Sequence, residues 1–142
     1  MSDVPPLPGA ATRALQAAGI VGFWGVLLGA FGAHALKERF AGMPGSAAWW
    51  ETAVHYHQIH ALLLLVLALW RRQAHQRVLV YAGRAALLGV VLFSGSLYAM
   101  ALTGVRALGA ITPLGGLCFL FAWGAVVFAA GHATGPAPAQ PD

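Results

Sequence analysis

Thr52-Ala-Val-His-Tyr-His-Gln-Ile-His-Ala-Leu-Leu-Leu-Leu-Val-Leu-Ala-Leu-Trp70, followed at once by Arg71 and Arg72, is the stretch that decides the fold. It contains no Asp, Glu, Lys or Arg, and neither glycine nor proline interrupts it. At a rise of about 1.5 Å per residue, a run of roughly 19 residues crosses the ~30 Å hydrocarbon layer of a bilayer. Three further apolar runs are of comparable length, Ala14 to Leu36, Val78 to Leu102 and Pro113 to Gly131, though all three carry glycines and Val78 to Leu102 includes Arg84. Together they predict an all-α protein, a four-transmembrane-helix bundle over residues 14–131, with helices near 14–36, 52–70, 78–102 and 113–131. Residues 1–13 and 132–142, rich in Pro, Gly and Ala, are expected to be flexible tails.

Composition supports this choice of solvent. Of 142 residues, 59% are apolar and 8% charged, whereas a soluble domain carries about a quarter charged residues. Too few charges exist to track a phosphate backbone, so a nucleic-acid partner is excluded and the lipid bilayer is the expected one. Net charge +4 then reads as an orientation signal. Arg13, Arg71, Arg72 and Arg77, with Arg84 nearby, lie toward one side, against Lys37, Arg39 and Arg106 on the other. That balance predicts a multi-pass protein of the plasma (inner) membrane with both termini cytoplasmic. Ala33-His34-Ala35 has the small-x-small spacing of a signal-peptide cleavage site, but the apolar run before it is longer than such segments. Cys118 is the single cysteine, so no disulfide forms within the chain.

Glycine supplies the expected packing chemistry. Gly19, Gly22, Gly25, Gly29 and Gly32 recur every three or four residues and so share one broad face of the first helix. Glycines let helices approach closely in lipid, where van der Waals contact replaces the hydrophobic drive. Gly115 and Gly116, with Gly124 beyond them, offer a similar surface on the last helix. Such faces serve another helix of the same chain, a homo-oligomer or other membrane proteins. Trp49 and Trp50 suit the headgroup region, and Thr112-Pro113 reads as a helix N-cap followed by proline at the first position.

Polar side chains inside membrane helices are costly and mark packing or function. The candidates are His34, His55, Tyr56, His57 and His60 on the first two helices, with Ser94 and Tyr98 on the third. His57 and His60 on consecutive turns, joined by His34, could hold a metal, and one imidazole could ligate haem. No thiolate pair or HExxH supports that, and the neighbouring Tyr, Glu51 and backbone groups already offer hydrogen-bond partners. Phe93-Ser94-Gly95-Ser96 is not a nucleophile elbow, so no catalytic residue and no cofactor is assigned.

Four strings, Gly29-Ala-Phe-Gly-Ala-His-Ala-Leu36, Tyr56-His-Gln-Ile-His-Ala-Leu62, Leu92-Phe-Ser-Gly-Ser-Leu-Tyr98 and Thr112-Pro-Leu-Gly-Gly116, together resemble the small membrane family called domain of unknown function 423. Eukaryotic transmembrane protein 256 looks like a relative. The resemblance spans roughly Ala14 to Gly131 and implies a compact four-helix membrane protein with no established activity, substrate or cofactor. Its Gly-Trp pair in the last helix is replaced here by Ala122-Trp123, which should shift close packing there by a residue. The resulting expectation is a non-catalytic membrane bundle acting as a small accessory or assembly partner. A metal- or haem-binding redox subunit and a proton or small-solute pathway are its rivals.

Overall fold

The computed structural model describes residues 9–74 and 76–132 of the chain. Among these residues the order is α1 (Gly9–His34), α2 (Lys37–Ala41), α3 (Ser46–Gln73), α4 (Arg77–Gly89), a π-helical turn (Val90–Ser94), α5 (Gly95–Thr103), a 3-10 turn (Arg106–Ala110) and α6 (Thr112–His132). Four segments are long and apolar enough to cross a membrane: Ala11–His34, Ser46–Gln73, Arg77–Thr103 and Arg106–His132. α4, the π turn and α5 form one continuous rod. The protein is an all-α bundle with four membrane-spanning candidates.

Several boundaries differ from the expected ones. α1 starts at Gly9, so Arg13 lies within a helix rather than a tail, and His132 still belongs to α6. The expected tails otherwise fall outside the described residues. α1 stops before Ala35, where the amides of Ala35 and Leu36 both donate to the Phe31 carbonyl. Lys37 to Ala41 then form a separate short helix, α2, fixed by Arg39 Nη2 donating to the Leu102 carbonyl at 2.6 Å. Gly45 has φ +90°, a left-handed conformation that glycine adopts without strain. It starts α3 at Ser46, earlier than apolar content alone suggests. Gly104, at φ +74°, terminates α5 in the same way as its amide donates to Met100.

α1 packs on α3; α3 packs in turn on the α4–α5 rod; and α6 lies against α4 and the π turn. The spans are therefore unequally enclosed. Within the chain, 44% of the apolar window in the α4–α5 rod is buried, against 11% in α1. Outward residues such as Val127 at 73% exposure and Leu120 at 70% are ordinary where the surroundings are acyl chains. At the Arg71–Arg77 end, Ala82 and Ala86 of α4 meet Ala122, Ala125 and Ala129 of α6, with Leu63, Leu67 and Leu79 beside them. Small side chains bring these helices together where lipid supplies no hydrophobic push.

At the π turn the approach is tighter still. A Cβ on Gly115 would collide with the Phe93 backbone, and one on Gly89 would run into the Phe119 ring. A Cβ on Gly116 would stand at an ordinary 3.9 Å from the Phe93 ring. Gly124 meets nothing within 4 Å, so the expected close-approach surface of α6 is concentrated at its N-terminal end. Thr112 also departs from the capping role: its hydroxyl pairs with Ser96 Oγ at 2.8 Å, while the Ile111 carbonyl accepts from the Leu114 and Gly115 amides. Overpacking a tight contact costs about 1–3 kcal/mol, and we expect that loss for Gly115→Ala. Gly124→Ala should change stability by no more than about 0.5 kcal/mol, with both variants compared by reversible unfolding in mixed detergent.

Candidate functional site

α3 carries most of the polar side chains that enter the bundle, because its inward face presents Trp50, then His57 two turns on and His60 one turn beyond that. Opposite them, α1 presents backbone carbonyls. In a helix the side chain of residue i+4 covers the turn that holds carbonyl i. Glycine at i+4 leaves that carbonyl open to an outside donor. Three such positions are used. Gly25 uncovers the Val21 carbonyl, which accepts from His57 Nε2 at 2.9 Å. Gly29 uncovers the Gly25 carbonyl, which accepts from Gln58 Nε2 at 3.3 Å. Gly32 uncovers the Leu28 carbonyl, which accepts from Trp50 Nε1 at 3.0 Å.

The contacts at these glycines are correspondingly close. A Cβ at Gly25 would stand 3.3 Å from His57 Cδ2, one at Gly29 3.3 Å from Val54 Cγ1, and one at Gly32 would overlap the Trp50 indole. A Cβ at Gly22 would come only within 4.0 Å of Ala61 Cβ, and one at Gly19 would meet nothing within 4 Å. Of the expected glycine face, the half from Gly25 to Gly32 is therefore spent inside the chain, against α3. Trp50 is 3% exposed, with its ring 4.6 Å from that of Tyr98. Trp50 is therefore packed inside the bundle, its one donor taken by a carbonyl of α1.

Donor and acceptor roles fix the two central imidazoles. The Val21 carbonyl can only accept, so His57 carries its proton on Nε2. The bare Nδ1 of the neutral ring then accepts from the Tyr98 hydroxyl at 3.3 Å. His60 is arranged the other way round. Its Nδ1 donates to the Tyr56 carbonyl at 2.7 Å, and its Nε2 accepts from Trp123 Nε1 at 3.4 Å. The His60 ring also stacks on Phe119, centroids 3.4 Å apart, so α3 is joined to α6 by stacking and by the indole bond. Two histidines three residues apart thus stand as opposite neutral tautomers.

The remaining candidates lie elsewhere. His34 is exposed at the end of α1, and His57 and His60 point to different partners, so the three do not converge. Among the described residues no group of three His, Cys, Asp or Glu side chains is arranged to hold a metal ion. Tyr56 is partly exposed and packs on Phe93, centroids 4.5 Å apart. Ser94 ends the π turn, wholly buried, its Oγ without a hydrogen-bond partner among the described residues. His55 sits on the outer side of α3 and shares a cleft with Glu51 and Gln58.

Trp50 and Trp123 were not among the candidates from sequence, although both take part in this network. Trp50 precedes His57 by seven residues, two turns of one helix face, which is the signal available for it. Nothing local to Trp123 points to His60.

A family model described as "Protein of unknown function (DUF423)" matches residues 28–116. All four strings quoted above fall inside that span. The chain is 46% identical over 95 residues to the UPF0382 membrane protein SH2409 of Staphylococcus haemolyticus, covering 67% of this chain and 75% of that one. It is 44% identical over 104 residues to the UPF0382 membrane protein YwdK of Bacillus subtilis, covering 72% and 83%. With the UPF0382 inner membrane protein YgdD of Escherichia coli it shares 39% identity over 106 residues, covering 75% and 79%. No solved structure matches it.

Side chains at the glycine contacts test this geometry. Gly32→Val should displace the Trp50 indole and destabilise the bundle by about 1–3 kcal/mol. Gly19→Val, on the same helix but facing open space, should stay within about 0.5 kcal/mol in the same unfolding assay.

Proposed function

The chain belongs to the DUF423 family of membrane proteins of unknown function, and from that premise we propose that it is a non-catalytic accessory of the plasma membrane, working by lateral association with a membrane partner. The observation that carries this reading is the occupation of both ring nitrogens of His57 and of His60 by bonds inside the bundle. A metal, a haem or a moving proton would have to break those bonds first. The inner polar groups act as fasteners between helices.

The outward faces are then the surfaces through which the protein works. Gly124 lies on a side of α6 that no helix among the described residues covers, between the exposed side chains of Leu120 and Val127. Small residues flanked by large apolar ones permit a close helix–helix approach in lipid. The partner is another membrane protein or a second copy of the chain. The Escherichia coli relative is named an inner membrane protein, which supports the plasma membrane as the site. Arg13, Arg71, Arg72 and Arg77 at the end that carries the termini and the α3–α4 connection, against Lys37, Arg39 and Arg106 at the other, support cytoplasmic termini.

A photoreactive phenylalanine analogue at Leu120, activated in living cells, is expected to give a protein adduct of defined mass that disappears in a Gly124→Leu background. Adducts with lipid alone, unchanged by Gly124→Leu, would contradict the assignment.

A further inference from the structure

The cleft between α1, α2 and α3 opens beside the internal network just described and shares Gly29, Gly32, Trp50 and Gln58 with it, but its Lys37, Glu51 and His55 carry none of that network's hydrogen bonds. It encloses about 670 Å³ and is lined on one side by Gly29 and Gly32 of α1, on the other by Glu51, His55 and Gln58 of α3, with Lys37 of α2 at its rim. That volume is within the usual range of about 300–1,000 Å³ for small-molecule sites. From Ala47 at its upper edge to Gln58 at its lower, α3 advances about 16 Å, half the hydrocarbon thickness. The cleft therefore begins at headgroup level and ends near the bilayer midplane.

Below Gln58 the lining changes character. A second groove of about 430 Å³ continues between the same two helices, shares Gln58, and is walled by Gly22 and Phe23 of α1 and by Leu62 and Leu65 of α3. Phe23 is 64% exposed and Leu62 65%, so these walls face whatever occupies the groove. Polar chemistry above and apolar chemistry below, joined through one glutamine and open sideways to the bilayer, match an amphiphile inserted along the α1–α3 seam.

The headgroup chemistry is narrower. Lys37 and Glu51 present opposite charges to one cleft, and no ion pair between them is found among the described residues. Each charge is thus available to an incoming group. Arg39, the other nearby cation, is directed to the Leu102 carbonyl, which anchors α2 and with it the backbone at Lys37. A ligand with a phosphate and a primary ammonium satisfies both signs: phosphate toward Lys37, ammonium toward Glu51. An anionic headgroup such as glycerol phosphate leaves Glu51 facing negative charge. A choline headgroup lacks the N–H donors that a carboxylate accepts.

We infer that the α1–α3 seam is a binding site for an aminophospholipid of the phosphatidylethanolamine type, its headgroup between Lys37 and Glu51 and one acyl chain running past Gln58 between Phe23 and Leu62. From Val54 to Leu65 the seam offers about 16 Å of continuous wall to that chain. His55, one turn beyond Glu51 on the same face, lies beside the phosphate–glycerol region.

Native mass spectrometry of the full chain tests this, with phosphatidylethanolamine, phosphatidylcholine and phosphatidylglycerol of identical acyl chains added at equal concentration. The wild-type protein should retain the ethanolamine lipid about fivefold over either competitor, the discrimination expected of one partly exposed ion pair. Glu51→Gln should bring the ethanolamine and choline lipids level, Lys37→Gln should lower all three, and Gly22→Leu should lower all three without changing their order. Helical content by circular dichroism is read alongside. Equal retention of the three lipids by the wild-type chain, or an ethanolamine preference that survives in folded Glu51→Gln, overturns the inference. A lipid-free dimer that closes the seam overturns it as well. The lipid panel on wild-type protein does not depend on any variant folding, and its result is independent of whether α6 has a protein partner.

Discussion

The bundle depends on a geometric permission granted by glycine. A bilayer gives helices no hydrophobic reason to associate, so α1, which buries only a small part of its surface within the chain, needs another attachment. It obtains one because Gly25, Gly29 and Gly32 each expose the carbonyl four residues earlier, and α3 has an N–H group opposite each of them. These carbonyls already accept within the helix, and their second lone pair takes the outside donor. The same absence of Cβ that opens the carbonyl lets the α3 side chains come close enough to reach it. Close packing and hydrogen bonding are here one feature.

The two central histidines extend that attachment across the molecule. His57 reaches α1 with one nitrogen and α5 with the other, while His60 turns back on its own helix and receives the Trp123 indole of α6. Every helix that crosses the membrane is thereby in polar contact with α3. On the Arg71–Arg77 side of this layer the packing is carried by alanines and leucines of α3, α4 and α6. On the other side Trp50, Leu36 and Ala101 form a smaller cluster with α2 covering its end. The π turn at Val90–Ser94 lies at the level of the histidines, where Gly115 and the Phe93 backbone come together.

Much of this was legible in the sequence because the bilayer imposes a strong length rule. Apolar runs of sufficient length, ended by arginines or by Gly and Pro, identify the spans, and glycine periodicity identifies the packed side of α1. The short-range features were less visible. α2 and the early start of α3 follow from backbone turns at Ala35–Leu36 and Gly45, which hydropathy does not register. The π turn packs against α6, where Gly115 meets Phe93 from more than twenty residues away in sequence. Trp50 reads as an interfacial residue by position, yet its indole is captured by a carbonyl that only the Gly32 gap exposes. His57 and His60 were identified as polar candidates from the cost of burying them, but their separate directions depend on which acceptors stand opposite. That information resides in the folded pair of helices.

Nuclear magnetic resonance on selectively labelled protein in lipid bilayers probes the attachment itself, using 15N imidazole nitrogens and a 13C carbonyl at Val21. The account requires His57 to be a neutral ring protonated on Nε2 and within dipolar contact of the Val21 carbonyl, with His60 protonated on Nδ1. A His57 ring protonated on Nδ1 alone, or one with no coupling to Val21, would contradict it.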